Sequence, residues 1–212
     1  MPSHELCGSE ASMSLELWIA SGVLLLFAIP LARVTIYQRR YWRIEDVELF
    51  VRPINIEDFE RATDPAEEWS LRSSTSSQEF KELKRQKTRL CAEHLSRMAH
   101  NAEVIQGWSH TAQSKLDAKG SGPAEEHAQL MRQIGETATE IRIYTLIAQM
   151  QVGLWLALRA DLLPMWVMPR LRGIRTTGGV DILTSYQKLT QLTKAVSRFY
   201  GTECSERICS VL

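Results

Sequence analysis

Residues 17–32 read LWIASGVLLLFAIPLA, a block without a single charge, and Arg33, Arg39, Arg40 and Arg43 follow it closely. A run this apolar has two homes, a lipid bilayer or a fully enclosed core. The charge-free stretch falls slightly short of the roughly 20 residues that cross a bilayer about 30 Å thick at 1.5 Å per residue. Arg33 closes the gap, because its long stem can snorkel toward head groups and let Val34, Thr35, Ile36 and Tyr37 complete the span. Trp18 at one end, and Tyr37, Tyr41 and Trp42 at the other, are amphipathic rings suited to the membrane interface. The sequence therefore predicts a transmembrane anchor over 15–37, with membrane lipid as its partner.

The flanks set the orientation. Glu5, Glu10 and Glu16 precede the span with no Lys or Arg among them, whereas the arginines follow it. The positive-inside rule then places the N-terminus outside and the bulk of the chain in the cytoplasm, as a single-pass protein. A cleaved signal peptide would need a basic leading region and small residues before its cleavage site, and this block has neither. Met13 is an alternative start, since Met13, Ser14, Leu15 and Glu16 lead straight into the span.

What remains of the 212 residues after the anchor is enough for one domain with a single substantial core. Formal net charge is zero and no basic stripe with interleaved aromatics appears, so nucleic acid is not an expected partner. Cys7, Cys91, Cys204 and Cys209 would be kept reduced in a cytoplasmic setting, and no disulfide framework is expected. The chain divides into a short polar N-terminus (1–14), the anchor (15–37), a juxtamembrane segment with short helices (38–75), a helical bundle domain (76–201) and a polar tail (202–212).

In the juxtamembrane segment, residues 47–51 alternate as a strand would, and Pro53 closes the run. Two short helices are expected next. Asn55 with Asp58 three residues on resembles a helix start. Asp64 before Pro65, with Glu67 and Glu68 following, is a stronger one: an oxygen to cap exposed amides, proline in the first turn, and carboxylates at the positive end of the dipole. The Ser-rich run 70–77 reads as a flexible connector and a phosphorylation candidate, with Ser76 or Ser77 capping a long helix that runs to about Lys119.

That helix carries Phe80, Leu83, Leu90, Leu95, Met98, Ala102, Ile105, Trp108, Ala112 and Leu116 as its inner face, while Lys81, Glu82, Lys84, Arg85, Gln86 and Lys87 are expected in solvent. Residues 120–123, GSGP, end it and open a second long helix with Leu130, Ile134, Ile141, Tyr144, Ala148, Trp155, Leu158 and Leu162 inward, stopping before Pro164. A short loop between two long amphipathic helices implies an antiparallel hairpin. A last helix over about 181–200 turns Leu183, Leu189, Leu192, Val196 and Phe199 inward and stops at Gly201. The expected fold is all-α: a single N-terminal transmembrane helix followed by a cytoplasmic bundle built on this hairpin.

One stretch resists the amphipathic pattern. Ile143, Leu146, Ile147, Met150, Val152, Leu154 and Leu156 make the second helix apolar on both sides, so it is either central to the bundle or, with 143–168, partly in lipid. Gln149, Gln151 and Gly153 favour the bundle; in the lipid alternative the two glutamines line a contact or small-molecule groove. Pro164, Met165, Trp166, Val167, Met168 and Pro169, with Arg170, Arg172 and Arg175, fit either a loop over the core or a lipid-interface contact.

Chemistry is thinly signalled. Cys91 and His94 share a helix face at i and i+3, with His100 and His110 further along, which makes a metal-binding or haem-binding bundle conceivable. No partner pair at ligand spacing and no Glu-x-x-His accompanies them on the long helices. Cys204 and Cys209 lack Cys-x-x-Cys spacing; residues 209–212, CSVL, fit a prenylation pattern without the usual polybasic segment. Phosphate loops, dinucleotide glycines, a nucleophile elbow and a zincin helix are missing from the sequence. No catalytic, cofactor-binding or metal-ligating residue is therefore nominated. The sequence reading is a membrane-anchored interaction or scaffold protein, an accessory subunit of a membrane complex, with a protein partner or a second copy of itself; the alternatives are a second membrane-embedded segment over 143–168 and a metal-binding bundle.

Overall fold

A computed structural model describes Val47, residues 50–117, 124–157 and 170–197, and Phe199, all within the compact unit Tyr41–Leu212. The expected anchor over 15–37, the N-terminal segment 1–14 and the tail 202–212 lie outside the described residues. Among the described residues every regular element is helical, and none of these helices is long and apolar enough to cross a membrane.

In the expected strand over 47–51, the described residues are not extended as a strand. Val47 and Phe50 are helical, and the Val51 N–H donates to the Val47 carbonyl at 3.1 Å. Val47 and Val51 are both buried, and positions four apart share a helix face as readily as they share a strand face, so five alternating residues fit both periods. After it come α1 (Ile56–Thr63) and α2 (Pro65–Ser74), which start where the side chains dictate. Asn55 Oδ1 accepts from the Asp58 N–H at 3.2 Å, and Asp64 Oδ1 accepts from the Ala66 N–H at 2.9 Å with Pro65 opening the helix. The serine run is only partly a connector. α2 continues through Ser74, and Ser73 and Ser74 donate to the Ser70 carbonyl, which satisfies hydroxyls along a helix without breaking it.

The long helix α3 (Ser77–Asp117) begins with a reciprocal cap: Ser76 Oγ accepts from the Glu79 N–H at 3.3 Å while Glu79 Oε2 accepts from the Ser76 N–H at 3.0 Å. That contact also holds the Glu79 carboxyl below its ordinary value. Its buried seam runs Cys91, Leu95, Met98, Ala102, Ile105, Trp108 and Ala112, in steps of three and four. Leu90, expected inward, is exposed; Cys91 takes the inward position one residue later. The second long helix, α4 (Ala124–Ala157), buries Met131, Ile134, Ala138, Ile141, Thr145, Ala148, Val152 and Trp155 with the same stepping. The two seams meet, and partners run in opposite order along them: a Cβ at Gly135 would sit 3.5 Å from Ser109 Oγ, and Gln106 donates to Thr139 at 2.6 Å and accepts from Arg142.

A short α5 (Leu171–Arg175), a 3-10 turn (Thr177–Gly179) and α6 (Ile182–Ser197) complete the packing, with α6 against α4 and α1 against both α3 and α5. Leu171, Ile174, Ile182, Leu183, Tyr186, Leu189 and Val196 close the core, each large apolar side chain contributing roughly 1.5–3 kcal/mol by leaving water. Gly178, at φ 66, makes the turn that a side chain would strain. Phe199, expected inward, is exposed and stacks on His127 with centroids 4.8 Å apart.

The charged opening of α3 is also not wholly solvated. Lys84 is buried and ion-paired with Glu68, and Lys87 lies 3.0 Å from Glu67, because α2 lies over this part of α3. α2 has no fully buried residue; these ion pairs and the half-buried Leu71, packed against Phe80 and Trp155, fasten it.

Candidate functional site

The best-built polar arrangement is a clamp that α3 closes on the segment entering the bundle. Residues 51–55 have no regular structure, so their peptide groups need partners from elsewhere. Three residues of α3 within two turns supply them. Arg97 Nη1 donates to the Pro53 carbonyl at 3.1 Å, and His100 Nε2 lies 2.9 Å from the Phe50 carbonyl. Asn101 receives the Arg52 N–H on Oδ1 and donates Nδ2 to the Arg52 carbonyl, both at 2.8 Å. Its second Nδ2 proton goes to the Tyr186 hydroxyl of α6, also at 2.8 Å. Asn101 and Tyr186 are both fully buried, and burial pushes the Tyr186 phenol up to about 12. One amide thus joins the backbone at Arg52, α3 and α6. The sequence reading missed Asn101 and Tyr186. An Asn on the apolar face of a helix was the available signal, since such a side chain is buried only with its hydrogen bonds made.

His100, weighed as a ligand in the sequence, belongs to this clamp, and His110 is exposed. Cys91 and His94 do share a face, and both are buried. Burial pushes the Cys91 thiol up to about 12, partly opposed by Lys87, so it is held as a neutral thiol. The His94 ring stands edge-on to Phe59 at 6.0 Å, and neither ring nitrogen has a hydrogen-bond partner among the described residues. Desolvation, with Arg97 nearby, lowers its pKa from the ordinary 6.5, against the opposing pull of Asp58 and Glu93. Among the described residues no group of three or more His, Cys, Asp or Glu side chains could hold a metal ion. Cys204, Cys209 and the 209–212 motif lie outside the described residues.

α4 carries a second apolar line besides its buried seam. Ile143, Ile147 and Leu154 are 52%, 40% and 64% exposed, with the half-buried Met150 completing steps of four, three and four. Val152 and Trp155, on the opposite side, are in the core. The helix that reads as apolar all round therefore has one side against protein and one side open among the described residues. At the N-terminal end of the open side lies a shallow groove of about 380 Å³ lined by Glu136, Thr139, Glu140, Ile143 and Tyr144. Gln151 is exposed and Gln149 half-buried, and residues 158–169 lie outside the described part. Of the arginines after them, Arg175 pairs with Asp181 at 3.3 Å, whereas Arg170 and Arg172 are exposed.

Comparison of the chain with protein-family models, with curated proteins and with solved structures finds no match in any of the three.

Proposed function

We propose that this protein is a membrane-anchored helical interaction module, an accessory subunit of a larger membrane assembly, with its N-terminal span over 15–37 and its bundle, built on an antiparallel hairpin of α3 and α4, on the cytoplasmic side. The observation that carries the reading is the open line of α4. Alternating steps of three and four are the spacing with which one helix lays a seam along another. Ile143, Ile147 and Leu154 are exposed far beyond what a packed helix needs, and large side chains in one row mark a contact surface more often than scattered ones do. The occupant that suits such a row is an amphipathic helix, from a partner or from a second copy of this chain.

The opposed pairings along α3 and α4 and their short connection support the hairpin, and the uncharged block followed by arginines supports the anchor and its orientation. The clamp on residues 50–53 fits the same reading, because it fastens the start of the bundle domain to α3 and α6 by hydrogen bonds.

The test is purification of the full chain from its native membranes in mild detergent, followed by the Leu154→Asp variant. A stoichiometric partner or a homo-oligomer that Leu154→Asp releases, with thermal unfolding unchanged, is the expected result. A monodisperse wild-type monomer with nothing bound refutes it. The exposure of the same row also favours a second reading, in which this side of α4 meets lipid. Cysteines placed at Ile147 and Leu154 decide between the two: ready modification by a water-soluble maleimide in native membranes rejects lipid burial.

A further inference from the structure

A second surface, independent of the α4 row, lies where α2 approaches the start of α5. Trp69 is 74% exposed, the most exposed large apolar side chain among the described residues. It shares a shallow groove of about 320 Å³ with Pro65, Glu68, Arg72, Arg170 and Arg172. The sequence separates these residues by a hundred positions; the fold puts them together. Among the described residues the one carboxylate in the lining, Glu68, is already paired with Lys84. Arg72, Arg170 and Arg172 are all exposed, and none makes an ion pair among the described residues. The result is an indole flanked by three guanidinium groups with no unpaired carboxylate in the groove lining among the described residues.

We propose that this face, Trp69 with Arg72, Arg170 and Arg172, is a headgroup-docking surface that seats the bundle on the anionic leaflet of the membrane. The chemistry is complementary on both counts. Guanidinium forks take lipid phosphates in paired hydrogen bonds, and an indole settles at the boundary between headgroups and acyl chains. The three cations are exposed and spread around a shallow groove, with no buried donor behind them. That arrangement matches a surface of many phosphates and would hold a single small anion poorly. Nucleic acid is the wrong occupant, because formal net charge is zero and one patch of three arginines is no backbone-tracking stripe. The proposal rests on the anchored reading for its geometry: a tether that keeps the bundle near the bilayer makes a weak patch sufficient, since the second contact is then intramolecular. At roughly fivefold in partition per arginine near an anionic surface, removing all three weakens docking on the order of a hundredfold.

The experiment uses the full chain in nanodiscs of phosphatidylcholine, with and without phosphatidylglycerol, each carrying a lipid with brominated tails as fluorescence quencher. Emission of Trp69 is the difference between the wild-type chain and Trp69→Phe. The expected result is quenching of Trp69 in the anionic discs alone, lost in Arg72→Gln/Arg170→Gln/Arg172→Gln and lost in the wild-type chain at high salt. Equal Trp69 emission in the two kinds of disc, or quenching that survives the triple substitution, overturns the proposal. So does Trp69 that native membranes shield from aqueous iodide but brominated anionic discs do not quench, which assigns the face to a protein. Failure of the anchor shows separately, as chain that elutes apart from discs of either composition. If such chain still sediments with phosphatidylglycerol vesicles in a salt-sensitive, Trp69-dependent way, the docking surface stands without the anchor; if it does not, the docking surface falls with it.

Discussion

Replacing Asn101 tests the clamp most directly, because both polar atoms of the side chain are engaged. Its Oδ1 and both Nδ2 protons are engaged by Arg52 and Tyr186 in a fully buried position. Asn101→Ala strands the Tyr186 hydroxyl in the core, at about 1–3 kcal/mol, and takes a bond from each of the two Arg52 peptide groups, at about 0.5–1.5 kcal/mol apiece and less where water reaches them. The expected loss is about 2–4 kcal/mol, a large share of the 5–15 kcal/mol typical of a folded domain. Tyr186→Phe alone leaves the Arg52 bonds in place and orphans one amide proton, at about 1–2 kcal/mol. In the Asn101→Ala background the same Tyr→Phe change removes a hydroxyl that already lacks its partner, so it costs nothing or regains stability. The coupling in the double-mutant cycle is therefore about 1–3 kcal/mol. Urea unfolding of the full chain in detergent, followed by far-ultraviolet circular dichroism at constant denaturant dependence, measures it. A coupling indistinguishable from zero, or an Asn101→Ala loss under about 0.5 kcal/mol, refutes the reasoning that one amide joins three segments. The clamp also predicts where the damage appears: amide exchange of residues 51–54 accelerates more than that of α4.

The ion pairs under α2 carry the next expectation. Glu68→Gln leaves the Lys84 ammonium, whose side chain is only 4% exposed, without its countercharge; the partial exposure of Glu68 tempers the loss to about 1–3 kcal/mol, and adding Lys84→Met recovers most of it in thermal unfolding. Gly178→Ala forces a side chain into φ 66 and sets its Cβ 3.3 Å from Tyr144 Cε1, so a loss of about 1–2 kcal/mol in urea unfolding is expected, and a neutral result would mean the turn is not held as described. In a chain with Cys7, Cys204 and Cys209 replaced by serine, Cys91 should resist a thiol reagent until urea unfolds the protein, because burial keeps it a neutral thiol; prompt native labelling would contradict that. His94 has its pKa lowered on folding, so its contribution to stability is present above the ordinary 6.5 and is lost as pH falls from there toward the native value, the unfolded chain taking up a proton that the native ring refuses. His127 is shifted the same way by burial, so the measurement is the slope of unfolding free energy against pH in wild type less that in His94→Leu, and equal slopes would remove His94 from the account.

Helix starts and the central seam were legible in the sequence because both are local. Asn55, Asp64 and Ser76 cap with their own side chains, and from Leu95 to Ala112 the stepping alone picks the inward face. What the pattern misplaced depends on what lies across from it. Lys84 and Lys87 look like solvent-facing residues until α2 brings Glu67 and Glu68 over them, a contact sixteen positions or more away in the chain. Leu90 and Cys91 are adjacent and both apolar, so periodicity cannot choose between them; the crossing of α1 over α3, with Phe59 buried there, does. The clamp was illegible for a related reason. Arg97, His100 and Asn101 are ordinary helical polar residues in isolation, and their meaning comes from an irregular segment about fifty positions earlier that lacks hydrogen bonds of its own.

These features divide the bundle by the kind of force that holds each part. The α3–α4–α6 core is fastened by apolar area, which is non-directional and strong. The two attachments at its margins add polar, directional contacts to a smaller apolar share from Val47, Val51 and Leu71: hydrogen bonds set the register of the incoming segment on α3, and ion pairs set α2 on the same helix. Polar fastening contributes less net stability than burial but fixes one geometry, since a slipped register leaves buried groups without partners. If the open row of α4 meets a partner and the Trp69 face meets a second surface, as proposed, that fixity matters more than further stability. On the proposed reading, a loosened clamp at Asn101 should weaken both contacts together while each surface keeps all of its own residues.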